Sequence, residues 1–172
     1  MLIWITGISA SGKSTIAKKL YSAIKKKSKN TVYLDGDSFR ELNNNDLKYT
    51  LKDRNTNALR LTRFCKFLID QKINVVCAAN LTSQKYRNWC RKNIKGYFEV
   101  FIDVPIEILA KRDFKNLYKR ALMGKIKNVV GVDIPFKFPK NPDLVLDNTK
   151  SKKNLNNLVD SIIKKSNFLK NR

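Results

Sequence analysis

The chain has 172 residues, 42% of them hydrophobic and 29% charged, and carries a net charge of +22. That length suits one domain with a sizeable core. No histidine occurs anywhere, which excludes Ser-His and Cys-His catalysis and any His-ligated metal.

In chain order, the apolar run at residues 2–6 reads as a buried strand. Residues 14–26 place Ile16, Ala17, Leu20, Ala23 and Ile24 on one helical stripe. Residues 31–34 form a second strand, which runs into Asp35-Gly36-Asp37. Residues 55–70 are expected to be helical, with Leu59, Phe64, Phe67 and Leu68 on or near one face. A third strand at 73–79 is followed by a helix at 83–93. A fourth strand at 97–104 stops at Pro105, which then opens a helix to residue 114, a favoured place for proline. Residues 115–142 are basic and read as irregular, punctuated by Gly124, Gly131, Pro135, Pro139 and Pro142. A fifth strand at 144–146 and an amphipathic helix at 154–168 close the chain. This alternation predicts a mainly parallel five-stranded sheet with helices on both faces, in a single domain over 1–172.

The sequence Gly7-Ile8-Ser9-Ala10-Ser11-Gly12-Lys13-Ser14 is Gly-x-x-x-x-Gly-Lys-Ser between a predicted strand and a predicted helix. Glycines let backbone N–H groups close around phosphate oxygens, and the helix that follows aims its positive end at the same anion. Lys13 is placed to reach the terminal phosphates, and the Ser14 hydroxyl to ligate Mg²⁺. The motif predicts an ATP-binding phosphotransferase.

Asp35 and Asp37 fall at the strand edge that faces the ligand crevice in an open α/β sheet. They could hold Mg²⁺ through water or take a proton from an attacking hydroxyl. The alternative is a polar turn in which Asp37 or Ser38 caps the next segment. The third strand ends Ala78-Ala79-Asn80, without an acid, so a metal-assisting acid must come from elsewhere, which strengthens the case for Asp35 and Asp37. Arg54 and Asn57 are three apart and share a helix face if the helix begins near Asp53.

The lysines are spread along the chain among many asparagines, and no nucleic-acid motif accompanies them. The charge is therefore read as a solvated surface plus a basic site for anionic small molecules, with no specific nucleic-acid partner. A non-catalytic nucleotide- or nucleic-acid-binding module is the rival class. Cys65, Cys77 and Cys90 are widely spaced and read as buried thiols in a reducing compartment. No apolar stretch reaches membrane-span length. Met1-Leu2-Ile3-Trp4-Ile5 leads straight into the glycine loop, leaving no room for a signal peptide, so a cytoplasmic location is expected.

The ordered motifs resemble the adenylylsulfate (APS) kinase family over nearly the whole chain. They are the glycine loop through Thr15, Asp35-Gly36-Asp37-x-x-Arg40, Asp53-Arg54-x-x-Asn57, Phe101-Ile102-Asp103-Val104-Pro105, Arg112-Asp113 and Leu117-Tyr118-Lys119-Arg120-Ala121. Gly124-x-Ile126-Lys127 and Asn141-Pro142-Asp143-Leu144-Val145-Leu146-Asp147 complete the set. The resemblance implies a homodimeric kinase that moves the ATP γ-phosphate to the ribose 3′-hydroxyl of a nucleotide. It assigns catalysis to Asp35, Asp37 and Lys13, and Mg²⁺ to Ser14 and Asp35. It assigns ATP to Gly7, Ser9, Ala10, Ser11, Gly12, Lys13, Ser14, Thr15 and Arg112. The acceptor falls to Asp37, Arg40, Tyr49, Arg54, Asn57, Asn80 and Leu81, and to Lys119, Val129, Val132 and Asp133 in a basic lid at 115–142.

Three segments depart from the family pattern. Lys48-Tyr49-Thr50 replaces Gly-Phe-Ser, and Val129-Val130-Gly131 replaces Phe-Thr-Gly. Of the two phenylalanines that clamp adenine, one becomes Tyr49 and the other an aliphatic valine, which weakens stacking worth about 0.5–1.5 kcal/mol. Asn80-Leu81-Thr82-Ser83-Gln84 replaces Ile-Ser-Pro-Tyr-Arg, and Leu81 cannot carry a phosphoenzyme. These departures favour an acceptor other than APS. An APS-kinase-like class that phosphorylates cytidine diphosphoramidate, in pathways that decorate bacterial capsules, would need less stacking surface and would suit an amide at residue 80. APS itself is the alternative.

Overall fold

The computed structural model describes residues 1–113, 116–149 and 155–168. Five strands, β1 (Leu2–Thr6), β2 (Thr31–Asp35), β3 (Asn74–Ala78), β4 (Tyr97–Asp103) and β5 (Leu144–Asp147), form one parallel sheet in the order β2-β3-β1-β4-β5. Side chains alternate across a strand, so β1 feeds two cores. Ile3 and Ile5 meet Ile16, Leu20 and Ile24 of α1 (Lys13–Lys27) and Leu158 and Ile162 of α7 (Leu155–Ser166). Leu2 and Trp4 meet Leu61 and Cys65 of α3 (Leu51–Asp70) and Cys90 of α4 (Gln84–Asn93). Both faces are covered, which is why β1 is apolar throughout its core positions. All three cysteines are buried and unpaired.

Because every strand points the same way, their C-terminal ends share one edge. The glycine loop after β1, Asp35 at the end of β2, Asn80 after β3 and Asn148 after β5 all gather there.

Several boundaries differ from the sequence reading. α3 begins at Leu51, four residues early, because Thr50 caps it: the Thr50 hydroxyl accepts the Asp53 N–H at 3.2 Å. Its buried face is Ala58, Leu61, Thr62 and Cys65, while Phe64 and Phe67 are exposed. Aromatic residues at near-helical spacing misled there. A helix, α2 (Gly36–Leu42), starts directly at the Asp-Gly-Asp turn, and its cap is Asp35, not Asp37 or Ser38. α5 (Ile106–Lys111) ends before residue 114, which lies outside the described residues, as does residue 154 at the expected start of α7.

The 115–142 stretch is not wholly irregular. It holds α6 (Leu117–Leu122), nucleated by Asp113, whose carboxylate accepts the N–H groups of Leu117, Tyr118 and Lys119 at 2.7, 2.6 and 3.2 Å. An acidic group at a helix start satisfies otherwise orphaned donors. Beyond α6, Asp133 takes the N–H groups of Asn128 and Val129 and folds a tight turn. Among the described residues, no helix is long and apolar enough to cross a membrane.

Candidate active site

The glycine loop joins the end of β1 to the first turn of α1. Gly12 sits at φ 93°, and a Cβ there would lie 2.5 Å from Asn148 Nδ2, so only glycine fits. Asn148 in turn donates to the Ser11 carbonyl at 2.8 Å. Tyr118 of α6 donates to the Ser9 carbonyl at 2.8 Å, and Ala10 adopts φ 61°. The loop is thus held from outside by Asn148 and Tyr118. The buried hydroxyl of Ser11 has no hydrogen-bond partner among the described residues, an orphan that an anion's oxygen would accept from. Thr15 continues the first turn of α1.

Lys13 donates to the Ile8 carbonyl at 2.9 Å. Burial lowers its pKa from 10.5 to about 8, against the opposing pull of Asp37 and Asp35. Beside it, Asp35 is fully engaged. Its Oδ2 accepts from Ser14 Oγ at 2.7 Å and from Tyr33 OH at 2.8 Å, and its Oδ1 accepts the Asp37 N–H at 3.0 Å. Burial works to raise the Asp35 pKa, but these three hydrogen bonds and the Lys13 charge outweigh it and hold the carboxyl below its ordinary range. Ser14 and Asp35 together offer two hard oxygen donors, one of them ionised. That pair fits an ion such as Mg²⁺, which completes its shell from phosphates and water. The Asp37 carboxylate makes no hydrogen bond among the described residues.

Next to Asp37 opens a pocket lined by Gly36, Asp37, Arg40, Tyr49, Arg54, Asn57 and Asn80, with Trp4 at its base. Two guanidinium groups approach the Tyr49 ring, Arg40 at 4.9 Å and Arg54 at 5.3 Å from its centroid. Arg40 is buried and donates to the carbonyls of Leu47 and Lys48. Arg54 donates to the Tyr49 carbonyl at 2.9 Å and to the Asn128 carbonyl at 2.8 Å. Burial, and then the nearby Arg40 charge, lower the pKa of Arg54. Two crowded cations beside an aromatic ring form a site that an anionic nucleotide would relieve.

The pocket therefore joins six of the residues expected to hold an acceptor: Asp37, Arg40, Tyr49, Arg54, Asn57 and Asn80. It does not join the others. Leu81 is fully buried in the core behind the pocket, because its N–H is tied to Thr6 Oγ1. Val129 is buried with Val130 and Ile134 in the opposite core. Asp133 gives both carboxylate oxygens to backbone N–H groups, Val132 lies in that same turn, and Lys119 is exposed on α6. Arg112 donates to the carbonyls of Asn148 and Thr149 at 2.7 and 2.9 Å, so it braces the segment that touches the glycine loop.

Sequence reasoning missed Tyr33, Asn148 and Trp4. Tyr33 was within reach, since a residue two before Asp35 on a strand shares its side. Asn148 follows a fifth strand whose neighbours only the sheet order reveals.

The family profile described as adenylylsulphate kinase matches residues 1–147. The chain belongs to the adenylylsulphate kinase family. A member from Campylobacter jejuni named cytidine diphosphoramidate kinase is 42% identical over 164 residues, covering 95% of both chains. An adenylyl-sulfate kinase from Clostridium kluyveri is 39% identical over 147 residues, covering 85% of this chain and 74% of that one. Among solved structures, the Mycobacterium tuberculosis APS kinase in complex with AMPPNP and APS superimposes with a TM-score of 0.83 at 33% identity, covering 95% of each chain. These adenylylsulphate kinase family members are phosphotransferases, and so is this chain.

Proposed function

We propose that the chain transfers the γ-phosphate of ATP to the ribose 3′-hydroxyl of a nucleotide, and that this nucleotide is cytidine diphosphoramidate. The observation that carries the acceptor is Asn80. Its buried side-chain oxygen has no hydrogen-bond partner among the described residues, yet the residue lines the pocket. An amide at this place accepts as well as donates, so it can receive a hydrogen bond from a terminal –NH₂, which a side chain that only donates could not. The single ring of Tyr49 and the burial of Val129 in the core point the same way. So does the 42% identity to the Campylobacter jejuni enzyme.

In this reading the glycine loop, Ser11 and Lys13 hold the phosphates. Lys13 exchanges the Ile8 carbonyl for a phosphate oxygen. Ser14 and Asp35 would hold Mg²⁺, which would supply positive charge to the phosphates. Asp35, with its oxygens already engaged, is a weak proton acceptor. Asp37, on the pocket wall with an unbonded carboxylate, is the base for the 3′-hydroxyl. Arg40 and Arg54 hold the acceptor's phosphates. The reading extends to one kinase domain over residues 1–172 with a lid at 115–142, acting as a homodimer in the cytoplasm.

The test is a side-by-side assay of both acceptors with Mg²⁺ and ATP. Cytidine diphosphoramidate is expected to show the higher kcat/KM, and Lys13→Ala to abolish acceptor-dependent ADP release. A kcat/KM higher for APS by about an order of magnitude, the size of a one- or two-contact difference, replaces this acceptor with APS, which the Clostridium kluyveri relative favours.

A further inference from the structure

The segment after β3 is fixed by side chains of β1 and α4. Trp4 Nε1 donates to the Ala79 carbonyl at 2.9 Å. Thr6 Oγ1 accepts the Leu81 N–H at 3.3 Å. The Arg87 guanidinium, on α4, donates to the Leu81 carbonyl. Asn80, the residue between these anchors, lines the acceptor pocket together with Ala79.

Arg87 is an unusual anchor. It is 0% exposed, and its Nε pairs with Glu99 of β4 at 2.9 Å, itself 1% exposed. Glu99 is shared with Arg91 at 3.4 Å, and Arg91 reaches Asp143 at 3.0 Å. Asp143 also takes the Glu99 N–H. Meanwhile Arg87 Nη1 is buried with no partner among the described residues. A buried ion pair is weak evidence for stability, because well-packed apolar residues of the same volume often serve as well. An unpaired guanidinium N–H worsens that balance. Stability therefore does not account for this group, but its grip on the Leu81 carbonyl does.

We propose that Arg87, locked by Glu99 and assisted by Thr6, is a positioning residue that sets where Asn80 stands in the acceptor pocket. It touches neither acceptor nor ATP and acts only through the backbone of residues 80–82. This rests on the reading of the pocket as the acceptor site.

The experiment is a mutant cycle with cytidine diphosphoramidate and, in parallel, APS as acceptors. Arg87→Met and Glu99→Met are made together, so that no buried charge is left alone. Asn80→Ala is made in the native and in the doubly substituted chain. The double variant is expected to melt at or above the native temperature and to raise the KM of the preferred acceptor about ten- to a hundredfold. Its KM for ATP should stay unchanged. Asn80→Ala should raise the acceptor KM in the native chain but add nothing in the double variant. Thr6→Val, nearly isosteric, should raise the acceptor KM in the same direction and by less, which keeps the proposal testable if the double variant does not fold.

An unchanged acceptor KM in a folded double variant overturns the proposal. So does an equal Asn80→Ala effect in both backgrounds, or an unchanged KM in Thr6→Val. If Asn80→Ala itself leaves the KM of both acceptors untouched, the pocket is not the acceptor site, and the underlying reading fails instead.

Discussion

Lys13 shows how much one side chain's surroundings decide. In the free protein it is buried and tied to a carbonyl, and its pKa falls from 10.5 to about 8. An unfolded chain keeps that lysine protonated up to its ordinary pKa. Raising pH from 8 to 10.5 therefore favours the folded state through this group, while below 8 its penalty is constant. A bound triphosphate pulls the pKa back up. ATP binding at about pH 8.5 should then take up a proton, and at about pH 6.5 none through Lys13. Calorimetry in two buffers of different ionisation enthalpy reads this directly, and equal apparent enthalpies at the higher pH would rule it out. At this scale the sequence was legible in that Lys13, Ser14 and Asp35, expected at one site, do lie together. It was illegible where a role depends on what lies opposite. Asp35 and Asp37 look equivalent as letters, and only the bonds from Ser14 and Tyr33 separate them.

Among the elements, α6 carries the clearest consequence. It is six residues long, too short to form alone, and its first turn depends on Asp113. It also delivers the Tyr118 hydroxyl to the Ser9 carbonyl. Asp113→Ala should cost about 0.5–2 kcal/mol locally, as loss of a helix cap does. Hydrogen exchange should quicken at residues 117–122 and leave the sheet protected, and ATP hydrolysis without acceptor should rise as the loop's brace loosens. Unaltered exchange in α6 would show that its capping lies elsewhere. The strands were readable because each is an apolar run of fixed period. The helix was not, since its six residues carry too short an apolar stripe to read and Gly124 follows close behind. The same limit explains Leu81 and Val129. Position within a matched segment put Leu81 and Val129 among the residues expected at the acceptor, but packing turns both inward.

For the whole molecule, the parallel sheet brings the ends of five strands to one edge, and the segments after β1, β2, β3 and β5 meet there at the site. In the proposed reading the net charge of +22 surrounds a pocket that takes an anion, so its field should speed capture. The kcat/KM for the acceptor should fall as salt rises from about 20 to 200 mM, over which the screening length shrinks to below about 10 Å, while kcat stays level. A salt-independent kcat/KM would mean that the charge serves only solubility.

Arg54 ties two parts of this molecule that a protein engineer would treat separately. One guanidinium holds the carbonyl of Tyr49 on the acceptor side and that of Asn128 in the 115–142 segment. In the reading proposed above, retuning the acceptor pocket by exchanging this arginine therefore also loosens the lid. A library built to broaden acceptor choice at that position would be enriched in catalysts that leak, spending nucleotide on water. Diversity is better placed at Tyr49 and Asn80, where the recognition surface can change while the seal stays intact.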